Sequence, residues 1–380
     1  MSILLRYLKH QIIDDLKERM VFLGGPRQVG KTTFSQSLIP HFEKNRGAYL
    51  NWDNPTDRKH FLNQAWPVDQ KLLIFDEIHK YKKWRNTLKG YWDSQKNLHQ
   101  FLVTGSARLD YYRKGGDSLL GRYHYYRMHP LSLPEISKKN PSSSDLEALL
   151  KFGGFPEPFL KGSERTLRRW HNQRTERIVA DDIRELEHLK ELSLMGLLMN
   201  ALPERVGSPL SRANLAQELE VDFKSIEHWL SILESVYYSF RISPFGPPKI
   251  RAVKKEQKLF LWDWSEHSDE GKRWENFVGS HLLKFCHFNE DVEAYKMELR
   301  FLRDTDGREI DFVVLKDKKP LFAVECKSGE RNLSRNINYF RERTNIPKFY
   351  QVHRGDKHIQ YDERTELLPF AKLCELENLV

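Results

Sequence analysis

Residues 20–34 read MVFLGGPRQVGKTTF. Four apolar residues open the stretch, a glycine and proline turn follows, and a second glycine leads into Lys31 and Thr32. The apolar run predicts a strand and KTTFSQSLI predicts a helix, so Gly25, Gly30, Lys31 and Thr32 fit G-x-x-x-x-G-K-[ST] in the context that pattern requires. Glycine has no Cβ to keep an anion away from backbone N–H groups, and a helix start adds roughly half a positive charge. The loop therefore implies a phosphate cradle for ATP, with Gly25, Pro26, Arg27, Gln28, Val29, Gly30, Lys31, Thr32 and Thr33 as the expected contacts. Lys31 would reach the β- and γ-phosphates and Thr32 would hold Mg2+. A glycine turn that merely links strand to helix leaves the Lys-Thr pair at this spacing unexplained.

A second stretch supplies the acids. QKLLIFDEIHK, residues 70–80, predicts a buried strand that delivers Asp76 and Glu77 at its C-terminal end, where open α/β sheets place their ligands. Asp76 would coordinate Mg2+ and Glu77 would activate a water. A third apolar run, QFLVTGSAR, ends in Thr104, Gly105 and Ser106, from which a side chain could contact a γ-phosphate or orient water. Thr104 is the candidate there.

Composition bounds the remainder. The chain has 380 residues, 39% hydrophobic and 30% charged, which allows two to four domains with their own cores. Its longest apolar candidate, LSLMGLLMNAL, falls short of the roughly 18 residues of a membrane span. The first twenty residues predict an amphipathic helix rather than a signal peptide, and three isolated cysteines form neither a disulfide framework nor a zinc site. A cytosolic protein without a membrane segment is expected.

The net charge of +9 is uneven: residues 251–380 hold 24 basic and 24 acidic residues, so the excess lies before them. Residues 79–114 alone carry nine Lys and Arg against two Asp, interleaved with Trp84, Tyr91 and Trp92. Such a segment can bind DNA or RNA through lysine–phosphate contacts and base stacking. The alternative, favoured here, is a solvated basic helix face with its aromatic residues turned into the core.

Further along, RTLRRWHNQRTERIVADDIREL predicts a helix on which Arg168, Arg169, Arg174 and Arg177 compete as γ-phosphate sensors. SPLSRANLAQELEVDFKSIEHWLSILESVYYSF has the spacing of a helix-turn-helix capped by Ser211. Its second helix offers Lys224, Glu227, His228 and Ser231, a mixed set that favours packing or a protein partner over base reading. In REIDFVVLKDKKPLFAVECKSG, period-two alternation puts Glu325 and Lys327 on one strand face, with Asp311 across a hairpin turned at KDKKP. This is a D…ExK constellation: Asp311 and Glu325 would bind Mg2+ and Lys327 would position water, with Glu275 on the helix RWENFVGSHLLKF as the fourth member. Polar residues on a solvated strand face are the plain alternative. No Gln-x-x-x-Tyr element follows, Asn338 and Tyr339 standing there instead.

The order GGPRQVGKTTF, LLIFDEIHKYKKW, LVTGSAR, GRYHYYRMHPLSLPE, FGGFPEP resembles a prokaryotic AAA+ ATPase family with a C-terminal restriction-endonuclease-like domain of unknown function. The resemblance covers essentially the whole chain. It implies an α/β fold: a P-loop NTPase core of the additional-strand, catalytic-glutamate type over residues 1–130, and a helical lid and linker over 131–185. A winged helix-turn-helix-like segment would follow over 186–258 and a PD-(D/E)xK nuclease-like domain over 259–380. It also implies that Arg122 is a finger reaching a neighbouring subunit's γ-phosphate, hence a homo-oligomer, a ring, with Arg108 and Arg113 as nearby competitors. The expected function is an Mg2+-dependent ATPase motor or switch acting on nucleic acid. The alternatives are an ATP-controlled switch for a protein partner and an ATP-gated nuclease using the C-terminal site.

Overall fold

A computed structural model describes residues 6–42, 46–105, 119–136, 142–183, 192–246, 256–329 and 332–380. They form two compact units, one built on the residues up to His129 and the other on most of those from Pro130 onward. Ser106, Arg108 and Arg113 lie outside the described residues.

In the first unit, β1 (Met20–Gly24), β2 (Gly47–Asn51), β3 (Leu72–Asp76), β4 (Gln100–Thr104) and β5 (Tyr123–Arg127) make a parallel sheet in the order β2-β3-β4-β1-β5. Every residue of β1 and β3 is buried, which is what a parallel sheet covered on both faces demands of its sequence. β4 lies between the cradle strand and the acid strand, as the additional-strand type requires. Because all five strands run the same way, Gly24, Asp76 and Thr104 end on one edge. The chain returns toward β1 through β3 and β4 and then crosses to β5 on its far side, so the strand order reverses beside β1, the place where such sheets bind ligands.

The helix Trp84–Gln95 settles the reading of the basic segment. Trp84, Leu88, Tyr91 and Trp92 recur at helical spacing, are buried, and pack with Phe22, Phe75 and Phe101. Lys82, Lys83 and Lys96 stay exposed. The rings are core, so they do not stack on bases. At the N-terminus the amphipathic helix is shorter than the sequence predicts, Lys9–Asp15, and buries Ile12 with Leu8 and Leu16 beside it.

In the second unit, the helix Ser143–Phe152 starts at a capping box between Ser142 and Asp145, and Pro156–Lys161 and Glu164–Arg177 follow. Arg174 is buried, donates to Glu266 at 2.8 Å and lies over the rings of Phe155 and Trp170. That core ion pair removes it from the candidate phosphate sensors. The helices Arg212–Glu218 and Phe223–Ser235 are joined by the four residues 219–222. Glu227 on the second accepts from Arg212 at 2.6 Å and Arg241 at 2.9 Å, so one of its four would-be reading residues is tied into packing.

An eight-stranded sheet fills the rest: β6 (Ser239–Pro244), β7 (Lys258–Leu261), β8 (Met297–Arg303), β9 (Glu309–Lys316), β10 (Lys319–Cys326), β11 (Phe349–His353), β12 (Ile359–Asp362) and β13 (Thr365–Pro369). Its order is β12-β13-β11-β10-β9-β8-β6-β7. β6 pairs with β8, so the sheet runs through the expected division at residues 258 and 259. The β9–β10 hairpin turns at Asp317 and Lys318, both at positive φ, where the sequence places it. A long helix, Glu270–Glu293, packs on β8 and β9. At Gly279 a methyl group would stand 2.7 Å from the Phe312 ring, so this glycine sets how closely the helix lies on β9.

Candidate nucleotide site and a carboxylate cluster

The cradle is built from two backbone positions that only glycine fills without strain. Gly25 has φ +145°, and a Cβ there would lie 2.4 Å from the Met128 carbonyl oxygen; Gly30, at φ +96°, opens the helix Lys31–Ser37. Lys31 folds back over the loop and donates to the carbonyls of Gly25 at 2.9 Å and Pro26 at 2.8 Å. Gln28 also sits at positive φ, while Val29 and the Lys31 side chain are buried. The Val29 carbonyl accepts from Arg6 at 2.9 Å, which ties the loop to residues ahead of β1.

Asp76 is the hub of the site. One carboxylate oxygen accepts from Thr32 Oγ1 at 2.7 Å and from Tyr49 Oη at 2.6 Å, and the other accepts from Thr104 Oγ1. The structure thus places Thr104, the strand-end candidate, against Asp76. In the β3–β4 register Asp76 lies beside Thr104, and the buried hydroxyl donates to the carboxylate. It acts on the site by holding Asp76. Tyr49, which sequence reasoning missed, does the same from β2; burial and the adjacent Asp76 hold its phenol above the ordinary range. No local signal marks Tyr49, since tyrosine is common in strands.

Glu77 leaves the strand at φ +56°, an unfavourable conformation for a non-glycine residue, with its N–H bonded to the Thr104 carbonyl at 3.0 Å. Its carboxylate stands on a side chain 18% exposed. Lys80 Nζ and His79 Nε2 each lie 3.7 Å from it. Burial pushes its carboxyl above the usual range, with Lys31 opposing that shift and Asp76 adding to it.

Arg122 stands at the start of β5, its carbonyl accepting from Met20 N. The five-residue strand, about 17 Å at 3.3 Å per residue, separates it from the edge that carries the cradle. Its guanidinium pairs with Asp93 at 2.9 Å.

In the second unit the four C-terminal candidates do come together, with company the sequence reading missed. Asp311 accepts from Cys326 N at 2.7 Å, and Lys327 pairs with Glu325 at 2.7 Å. Lys258 on β7 enters the same cluster, 3.1 Å from Glu275 and in contact with Glu309. Burial, then the nearby Asp311, pushes Glu275 up to about 8 and Glu325 up to about 7. Although burial pulls the other way, Glu275, Asp311 and Glu309 hold the Lys258 ammonium above its ordinary pKa. Glu309 was within reach of sequence reasoning, being two residues before Asp311 and so on the same strand face. Among the described residues no group of three His, Cys, Asp or Glu side chains is arranged to hold a metal ion.

Residues 17–137 match the family model described as AAA domain. These residues form an AAA-type, ATP-binding P-loop domain. Residues 143–265 and 270–373 match two models described as domains of unknown function, DUF8612 and DUF4143. Similar proteins include an uncharacterized protein of Mycobacterium tuberculosis, 22% identical over 335 residues, which cover 82% of this chain and 73% of that one. An uncharacterized protein of Methanocaldococcus jannaschii is 24% identical over 300 residues, covering 65% of this chain and 61% of its own. Among solved structures, the Thermotoga maritima RuvB Holliday junction branch migration motor aligns at 15% identity and TM-score 0.32, covering 61% of this chain and 87% of that one. A Signal Transduction ATPase with Numerous Domains from Pyrococcus horikoshii aligns at 13% identity and TM-score 0.32, covering 76% and 48%. Among the described residues no helix is long and apolar enough to cross a membrane.

Proposed function

We propose that the chain is an Mg2+-dependent ATP hydrolase that works as an oligomeric motor or switch on nucleic acid. The observation that carries the reading is the Asp76 carboxylate, held by Thr32, Tyr49 and Thr104 at the mouth of the cradle with Glu77 next to it. Lys31 exchanges its two carbonyl partners for phosphate oxygens as ATP enters. Thr32 Oγ1 and Asp76 fit Mg2+, a hard cation that takes one or two carboxylates and completes its shell with water and substrate phosphates. When bound, it neutralises charge on the β- and γ-phosphate oxygens. Glu77 accepts a proton from water as that water's oxygen bonds to the γ-phosphorus and the bond to the ADP oxygen breaks.

Arg122, at the far end of β5 from its own cradle, would serve as a finger for a neighbouring chain. In that arrangement turnover per chain rises with protein concentration, and Arg122→Ala removes the rise while ATP affinity stays unchanged. Activity independent of concentration in both proteins argues for a self-sufficient monomer.

The nucleic-acid part rests on the +9 charge and the exposed Lys82, Lys83 and Lys96, and it is a reading of phosphate contact without base stacking. Single-stranded DNA, duplex DNA or RNA should then raise ATP turnover in a sequence-tolerant way that salt abolishes. Turnover that no polymer changes replaces this part with a protein partner.

A further inference from the structure

We infer that Lys80, held in place by Asp53, is a positioning residue for the hydrolytic step: its ammonium fixes the Glu77 carboxylate in the orientation that receives the water proton. The loop after β2 thereby acts on the chemistry, an inference that rests on the reading of Glu77 as the base.

The two side chains meet through a local turn. Glu77 leaves β3 in the left-handed region, and the single 3₁₀ turn Ile78–Lys80 folds the chain back, with Lys80 N donating to the Glu77 carbonyl at 3.2 Å. Lys80 Nζ thereby comes to 3.7 Å from Glu77 Oε2. At that separation the charges attract without a hydrogen bond, so the hold is only as good as the placement of the ammonium. A lysine near the surface ordinarily positions little, because its flexible stem keeps its rotamer freedom. Here that freedom is removed from the side of β2. The Lys80 ammonium donates to both carboxylate oxygens of Asp53, at 2.9 and 2.7 Å. Asp53 is itself placed: its N–H donates to Asn51 Oδ1 at 2.8 Å, Trp52 N donates to the Asp76 carbonyl at 3.0 Å, and the Trp52 ring stacks on Tyr81 with centroids 4.8 Å apart. The β2–β3 register, which pairs Asn51 with Asp76, sets this loop beside the turn. His79 Nε2 faces the same Glu77 oxygen at 3.7 Å, and the Lys31 charge also acts on Glu77. In the proposed reaction the Lys31 ammonium turns to phosphate, whereas Lys80 stays tied to the sheet edge and keeps its hold with ATP bound.

The test is a double-mutant cycle on single-turnover hydrolysis of bound ATP by the full chain in Mg2+, with ATP affinity measured beside it. The proteins are the native chain, Lys80→Met, Asp53→Asn, Glu77→Gln and the Glu77→Gln/Lys80→Met pair. Lys80→Met keeps the stem and loses the charge; it should slow hydrolysis by about 10- to 100-fold with ATP affinity unchanged, the scale on which misplacing a reacting group costs rate. Asp53→Asn, which keeps the ammonium but loosens it, should slow hydrolysis by less. In the Glu77→Gln background Lys80→Met should cost nothing further, because the group it holds is gone; a merely structural lysine would slow both backgrounds alike. Native-rate hydrolysis by Lys80→Met or by Asp53→Asn overturns the inference. So does a loss that multiplies in full with that of Glu77→Gln, or one matched by an equal loss of ATP affinity. If Lys80→Met does not fold, Asp53→Asn takes its place in the cycle on the same terms. The two failures are distinguishable: unchanged hydrolysis by Glu77→Gln strikes the reading of the base, whereas loss in Glu77→Gln with none in Lys80→Met strikes only the role of Lys80.

Discussion

Lys31→Ala is expected to lower ATP affinity by about 10²- to 10⁴-fold without unfolding the chain. The ammonium donates to the carbonyls of Gly25 and Pro26, and it is a charge in the cradle well placed to follow a phosphate. In the bound state these are exchanged for bonds to phosphate oxygens, and charge-assisted hydrogen bonds contribute about 1.5–3 kcal/mol each, so losing two to phosphate costs about 3–6 kcal/mol of binding. The substitution also leaves two carbonyl oxygens facing the space an anion must enter. Equilibrium binding of a fluorescent ATP analogue checks the result, with circular dichroism to confirm the fold. Affinity within a few-fold of the native protein would mean that phosphates do not bind in this loop.

Glu77→Gln should separate binding from chemistry. The amide keeps the size of the side chain but cannot take a proton, so ATP should bind as before while turnover falls by about 10²- to 10⁴-fold, the usual contribution of a general base. The pH profile carries a second signature. Burial raises the folded-state pKa of Glu77, and the base works only when ionised, so activity is lost on acidification at a pH above the ordinary glutamate value of about 4.3. The residual rate of Glu77→Gln should lack that acid limb. Initial rates of phosphate release between pH 5 and 8 read both effects.

These effects could be anticipated because the cradle and the acid strand are local signals. MVFL and LLIF are apolar runs that a parallel sheet buries completely, and the glycines of the loop occupy positions where a side chain would collide or strain. The hairpin at Asp317 and Lys318 was legible for the same reason. What escaped the sequence depends on pairings between distant residues. Tyr49 matters because the sheet order sets β2 beside β3, and Thr104 serves Asp76 because the register of β3 and β4 sets them side by side. Lys258 opens the apolar run KLFL and looks like the edge of a linker; its partners are 17 and 51 residues away, at Glu275 and Glu309. The aromatic residues of the basic helix were ambiguous until the fold showed which face is covered.

The most direct test of the central claim is steady-state phosphate release from ATP by the native chain, in Mg2+ and again with the metal chelated, beside Glu77→Gln. The account predicts turnover that needs Mg2+ and disappears in the variant although ATP still binds. Equal turnover by the native protein and Glu77→Gln, or tight ATP binding with no turnover under any of these conditions, would contradict it.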